Sequence, residues 1–220
     1  TKRYTMSFEQ CRKINKLMEN FHCQWFIAGG WAIDLHIGKE SRIHTDIEIA
    51  IFRKDQLKLK EYLYAWEFKK IISGEFHHWN NEYLNLPIHE LHAENKGSKE
   101  KIEVLLNETT GDKWMFRRDT RITSSIKMLC NYTSEGIPYL SPEIVLLYKV
   151  KNTREKDYRD FMTVSEYLTP QQRRWLIDAI QIHEPQHEWL EYLIEVSLYR
   201  RGGAGSSYVS IIFLVSPQTR

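Results

Sequence analysis

An α+β fold, a mixed sheet with flanking helices followed by a small helical bundle, is expected from three features of this 220-residue sequence. An apolar run ends in the pair Gly29-Gly30. A second run opens on Asp46 and Glu48 and alternates as far as Phe52. From Ser141 onward the apolar residues change to helical spacing. The sheet-bearing part is assigned to residues 1–135, the helical part to 136–200, and 201–220 is left as a tail.

The elements follow in order. Ser7 and Gln10 form an S-x-x-Q capping pattern, and Phe8, Cys11, Ile14, Leu17 and Met18 then recur at helical spacing, so a helix is expected over 8–20. Gln24 to Ala28 reads as a strand, 31–37 as a helix closed by Gly38, and 46–52 as a second strand. Asp55 is a candidate cap for a helix carrying Leu57, Leu59, Leu63 and Trp66. Glu67–Ile72 and Glu75–Trp79 flank Ser73-Gly74 as a hairpin. Pro87–Glu94 and Glu100–Leu106 are further strands. Ser141-Pro142-Glu143 starts a helix with a capping serine, proline in the first turn and an acid at the positive end, running to about Lys151. Helices over 155–168, from Thr169-Pro170, and from about 187 complete the bundle.

Bulk composition narrows the function classes. A 42% hydrophobic content can bury a core, and a net charge of +2 is too small for general nucleic-acid binding. Cys11, Cys23 and Cys130 are odd in number and widely spaced, which argues against a disulfide framework and for a reducing cytoplasm. TKRYTMSFEQ has no apolar signal-type core, and no apolar stretch approaches the ~20 residues a membrane helix needs. In the tail, Tyr208 to Val215 is apolar and strand-prone; it suits an edge strand, aggregation or an artefactual extension.

The chemistry is concentrated between Trp25 and Phe52. Period-2 geometry puts Ile47, Ile49 and Ile51 on one face of the second strand and Asp46 with Glu48 on the other. Two adjacent carboxylates resist burial unless a cation lies between them, and a hard divalent ion such as Mg²⁺ takes carboxylate oxygens and brings phosphates with it. Glycines without Cβ atoms let backbone amides approach a phosphate at the start of the following helix.

At these residues, AGGWAIDLHIGKESRIHTDIEIAIF, the chain resembles the nucleotidyltransferase superfamily typified by DNA polymerase β. It is most similar to the bacterial branch of aminoglycoside 2″-adenylyltransferases and lincosamide nucleotidyltransferases, which carries G-G-W, a basic linker, and then D-x-D or D-x-E. KIEVLLNE (101–108), DKWMFRRDTRI (112–122), the 136–161 segment and LTPQQRRWL (168–176) extend the resemblance over about residues 7–195.

The resemblance implies that 1–135 is a nucleotidyltransferase domain. It implies that Asp46, Glu48 and a third acid from a neighbouring strand hold two Mg²⁺ ions, with Mn²⁺ as a substitute. Glu103 matches the third position, and Glu90 is its competitor. Gly29, Gly30, Arg42, His44, Lys149 and Lys151 are the candidate nucleotide-binding residues, with ATP the favoured donor. Glu48 is a departure, since many relatives have Asp there; its extra methylene moves the carboxylate by about 1.5 Å. The expected reaction moves AMP onto a hydroxyl of a small acceptor such as an aminoglycoside or lincosamide. The acceptor is expected between the two halves. Glu90, Glu143, Asp157 and Asp160 are candidates for a cationic acceptor, and Tyr139 and Tyr148 for a neutral one. Nucleotidylation of a tRNA or protein, and a non-catalytic nucleotide-binding module, are the alternatives. Zinc is disfavoured: His89 and His92 fall on opposite faces of a strand, and no paired cysteines assist them.

Overall fold

The computed structural model describes residues 7–199. Within them, α1 (Glu9–Leu17) buries Cys11 and Ile14. The capping box expected at Ser7 and Gln10 does not form. Phe8 is the N-cap instead, turned into the left-handed region, with no side-chain cap; its ring meets Trp31 edge-on and its N–H is taken by Glu40. The strand β1 (Trp25–Ile27) leads directly into α2 (Gly29–Ile37), which starts on the glycine pair and is closed by Gly38 in the left-handed conformation. Next come β2 (Glu48–Phe52), a 3₁₀ turn (Arg53–Asp55) and α3 (Gln56–Tyr62). Asp55 stands at the N-cap of α3 as expected but makes no side-chain cap there; its carboxylate pairs with Lys58 instead.

The hairpin of β3 (Trp66–Ile72) and β4 (Glu75–His78) forms around Ser73-Gly74 as its sequence requires. It is followed by β5 (Glu90–Asn95) and β6 (Lys101–Thr110), and then by four three-residue strands that the periodicity did not reveal. These are β7 (Lys113–Met115), β8 (Thr123–Ser125), β9 (Cys130–Tyr132) and β10 (Pro138–Leu140). The main sheet runs β4-β3-β5-β6-β2-β1-β10-β9, with β7 on β6 and β8 on β7. β2 with β6 and β1 with β10 are parallel pairs; the other pairs are antiparallel.

β10 hydrogen-bonds between β1 and β9, so the sheet continues past residue 136 and the helices begin at Pro142. They are α4 (Pro142–Lys149), α5 (Glu155–Val164), α6 (Pro170–His183) and α7 (Trp189–Tyr199). Thr169 and Gln172 form a reciprocal capping box that fixes the start of α6. α4 packs on α2, α5 and α6, which seats the helical part against the glycine helix.

Ile47, Ile49 and Ile51 are core, as the alternation requires. The opposite face of β2 is also covered beyond Glu48, where Ala50 forms part of a cavity floor and Phe52 packs on Phe26. Among the described residues no helix is long and apolar enough to cross a membrane. The tail at 201–220 lies outside the described residues.

Candidate active site

Strand register brings the acids together. Glu48 on β2 stands directly opposite Glu103 on the parallel neighbour β6, and His92 on β5 stands opposite Glu103 on its other side. Asp46 lies exposed just before β2, and the Thr45 hydroxyl donates to its carboxylate. Burial first, then nearby carboxylates, raises Glu48 and Glu103 above the ordinary carboxylate range: Asp46 and Glu90 act on Glu48, and Glu48, Asp46 and Glu90 act on Glu103, although Lys149 pulls Glu48 and His92 pulls Glu103 the other way. Of the two competitors for the third acid, Glu103 is the one paired with Glu48. Glu90 lies one strand further and accepts a hydrogen bond from His92 at 2.8 Å. The ligand atoms of Glu90, His92 and Glu103 lie within 4.8 Å of one another.

The glycine pair is required by close approach. Gly29 has φ +60°, and a Cβ there would lie 1.5 Å from Glu48 Oε2. A Cβ on Gly30 would lie 2.1 Å from Arg42 Nη2 and 2.7 Å from His44. An alanine at either position therefore displaces the site. The basic linker is held from beneath by Asp34, which is fully buried: it accepts from Ser41 and pairs with His44 Nε2 at 2.7 Å, while the imidazole stacks on Trp31 at 4.3 Å. Trp31 is thus core, and His44 borders the cavity as a braced wall.

A cavity of about 420 Å³ lies over these groups, between the sheet and the helical part. Gly29, Gly30, Asp46, Glu48, Glu90 and Glu103 line one side. Six cations, Arg42, Arg117, Arg118, Lys149, Arg154 and Lys156, also line it. Three of the six are paired with two acids outside the cavity, which leaves the group net positive. Arg42 grips Asp160 with two hydrogen bonds, Lys149 bridges Asp157 and Asp160 at 2.8 and 3.0 Å, and Arg154 pairs with Asp157. Burial alone raises Asp157, but hydrogen bonds from Arg154 and Lys149 outweigh it and hold the carboxyl at about 2.

Several expected residues lie elsewhere. Lys151 is exposed and does not border the cavity, because α4 ends at Lys149 and the chain leaves the helical face. Tyr139 sits on β10, beyond β1 from the acids, with its hydroxyl 3.4 Å from His36. Glu143 is buried in the first turn of α4 near Gln172, with Oε2 unpartnered among the described residues, and burial pushes it up to about 7. Asp157 and Asp160 are committed to the ion pairs above. Of the acids expected for a cationic acceptor, Glu90 alone borders the cavity.

The sequence reading passed over Arg117 and Arg118. Both are half-buried, both lie 5.8 Å from the Tyr148 ring, and Arg118 donates to the Tyr148 carbonyl. Neither has a carboxylate in ion-pair range among the described residues, and burial lowers both. The doubled arginine was the available signal. His92 was passed over as a neighbour of the acids, although Glu90-x-His92 places both on one strand face.

A family model described as aminoglycoside-2″-adenylyltransferase matches residues 10–163. The lincosamide resistance protein of Staphylococcus haemolyticus is 26% identical over 143 residues, 61% of this chain and 79% of that protein. The solution structure of the antibiotic-resistance factor ANT(2″)-Ia has a TM-score of 0.54 at 15% identity, covering 89% of this chain and all of the other. Lincomycin-bound LnuA, a lincosamide antibiotic adenylyltransferase, gives 0.50 at 18% identity, covering 73% of this chain and 98% of the other. The two structures bear on the fold alone, and they bear out an α+β architecture of mixed sheet and flanking helices.

Proposed function

The chain belongs to the aminoglycoside-2″-adenylyltransferase family, nucleotidyltransferases by class, and on that premise we propose that it moves AMP from ATP onto a hydroxyl of a small antibiotic-type acceptor. The observation that carries the reading is the facing pair Glu48 and Glu103, with Asp46 at its mouth and the Gly29-Gly30 turn against it.

The donor set fits divalent metal. Three carboxylates offer hard oxygen ligands, and the burial and neighbouring negative charge that raise Glu48 and Glu103 are relieved by a cation among them. Asp46, Glu48 and Glu103 would hold the metal, with two Mg²⁺ the expected complement and Mn²⁺ a substitute. When bound, Mg²⁺ supplies charge to the phosphates and acidifies the acceptor hydroxyl. The chain's own groups do the rest. The cation-rich wall of Arg117, Arg118 and Lys156 attracts the triphosphate, and guanidinium forks suit phosphate oxygens. Lys149 and Arg42, oriented by Asp160, add positive potential beside the glycine turn. The acceptor oxygen forms a bond to the α-phosphorus, the bond to the β-phosphate oxygen breaks, and pyrophosphate leaves with the electron pair. The hydroxyl proton passes to water.

Incubation of the protein with labelled ATP, Mg²⁺ and a panel of lincosamides and aminoglycosides tests this. A mass gain of one AMP on a panel member is expected, with pyrophosphate released. Binding of ATP with no labelled product on any acceptor defeats the transfer reading.

A further inference from the structure

A second cavity, of about 620 Å³, opens on the other side of the acids. Thr45, Asp46 and Glu103 border both cavities. Glu48, the glycine turn and all six cations border the first alone. The register explains the division. Glu48, Glu103, His92 and Lys69 face one another in a single row across β2, β6, β5 and β3, so one sheet face leads from the half-buried acid pair out to the β3–β4 hairpin. Glu67 lies two residues along β3 from Lys69, and Phe76 is paired with Ile71, so both lie on that same face.

Transfer to phosphorus proceeds in line, with the attacking and leaving oxygens on opposite sides. If the pyrophosphate rests among the cations of the first cavity, the hydroxyl has to arrive from the opposite side of the acids, where Lys99 and Lys101 are engaged by Glu94. That side is the second cavity, and Glu103 and Asp46 are the carboxylates that reach it.

We propose that the acceptor binds in this second cavity, against the β3–β4 hairpin, and that it is a hydroxyl-rich molecule of low charge with an apolar ring face. The assignment rests on the nucleotidyltransferase reading and deepens it by separating the two substrates. The wall chemistry sets the acceptor class. Phe76 is 60% exposed and touches His92 edge-on at 5.0 Å, giving a flat apolar surface next to polar groups. Glu94 is engaged by Lys99 and Lys101 at 3.4 and 3.6 Å. Asp46 and Glu103 are reserved for metal. Among the described residues Glu67 is then the one remaining carboxylate of this cavity, with Lys69 near it on the same strand, so a polycation finds no set of acids to bind.

The test uses the full chain with Mg²⁺ and a non-hydrolysable ATP analogue, titrated with lincomycin (one basic amine) and separately with tobramycin (polycationic) while backbone NMR shifts are followed. Lincomycin is expected to shift residues 67–78 and His92 at lower concentration than tobramycin. A parallel assay compares Phe76→Ala with the unaltered chain. Loss of the ring should raise the acceptor KM about tenfold and leave the ATP KM within twofold. The side chain is exposed, so the variant should keep its fold. Shifts confined to Tyr148 and α4, or an unchanged acceptor KM in Phe76→Ala, overturn the cavity assignment. Tighter binding of tobramycin at the hairpin overturns the acceptor class. Hairpin shifts with lincomycin in a protein that transfers no AMP uphold the acceptor site while the transfer reading fails.

Discussion

Arg42 and Asp160 are 118 residues apart in sequence and joined by two hydrogen bonds, 2.8 and 3.1 Å long, that tie the linker before the acids to α5 of the helical part. Asp160 is buried, and Lys149 shares it. The site is therefore assembled across the two halves, and its cations are oriented before any ligand arrives.

Asp160→Ala should destabilise the protein by about 3–5 kcal/mol, the range for breaking a buried ion pair, because Arg42 and Lys149 each lose a partner. In a chain of this size that is a fall in Tm of roughly 10 °C. Thermal melts check it. A shift under about 2 °C would mean that the pair is as weak as a surface salt bridge.

Asp46→Ala and Glu103→Ala should leave the fold intact and lower kcat by about 10³-fold or more, the scale of losing a group that stabilises charge in the transition state. Asp46 is exposed and Glu103 half-buried, so neither supports the core. Steady-state kinetics and circular dichroism on both variants decide the matter. Full activity in Glu103→Ala would transfer the role to Glu90.

ATP should bind weakly without a divalent cation, since Asp46, Glu48, Glu90 and Glu103 repel a bare triphosphate. Calorimetry in Mg²⁺ and in excess EDTA should differ by at least tenfold in Kd. Equal affinities would remove the argument for metal.

Arg117→Ala should raise the ATP KM by about tenfold or more, the equivalent of one hydrogen bond to a charged group, with the acceptor KM unchanged. Higher salt should narrow the difference between variant and parent. A rise in acceptor KM alone would assign the arginine pair to the other substrate.

What the sequence disclosed, and what it hid, follows from how far each signal reaches along the chain. The strand, glycine pair, helix and acidic strand over 25–52 lie within one local stretch, and local periodicity read them correctly to within a few residues. Glu103 stood out as a lone carboxylate in an apolar strand, but it was the resemblance that made it the candidate third acid, and the register then sets it opposite Glu48. The roles of Arg42 and Lys149 were only half legible: their partners Asp160 and Asp157 lie on another helix, and no spacing rule connects them. β7 to β10 escaped notice because three residues carry too little of a period to detect. Lys151 was misplaced by a two-residue error in a helix end, which suffices to carry a side chain off its face.

Glu143 offers a test of burial that is independent of the active site. Its carboxyl, 5% exposed and with Oε2 unpartnered among the described residues, is pushed by burial from an ordinary 4.5 up to about 7. A folded-state pKa raised above the unfolded one means that the native state holds the proton more tightly. The stabilisation is full below about pH 4.5 and is lost as pH rises through about 7. The shift corresponds to about 3 kcal/mol over that window. Glu143→Gln keeps the shape and removes the titration. Its Tm relative to the parent should therefore increase between pH 5 and pH 8, by several degrees. Glu48 and Glu103 are raised as well and slope the same way in metal-free protein, but they are common to parent and variant and cancel in the difference. A Tm difference that stays constant from pH 5 to pH 8 would place the Glu143 pKa near its normal value and show that water reaches the first turn of α4.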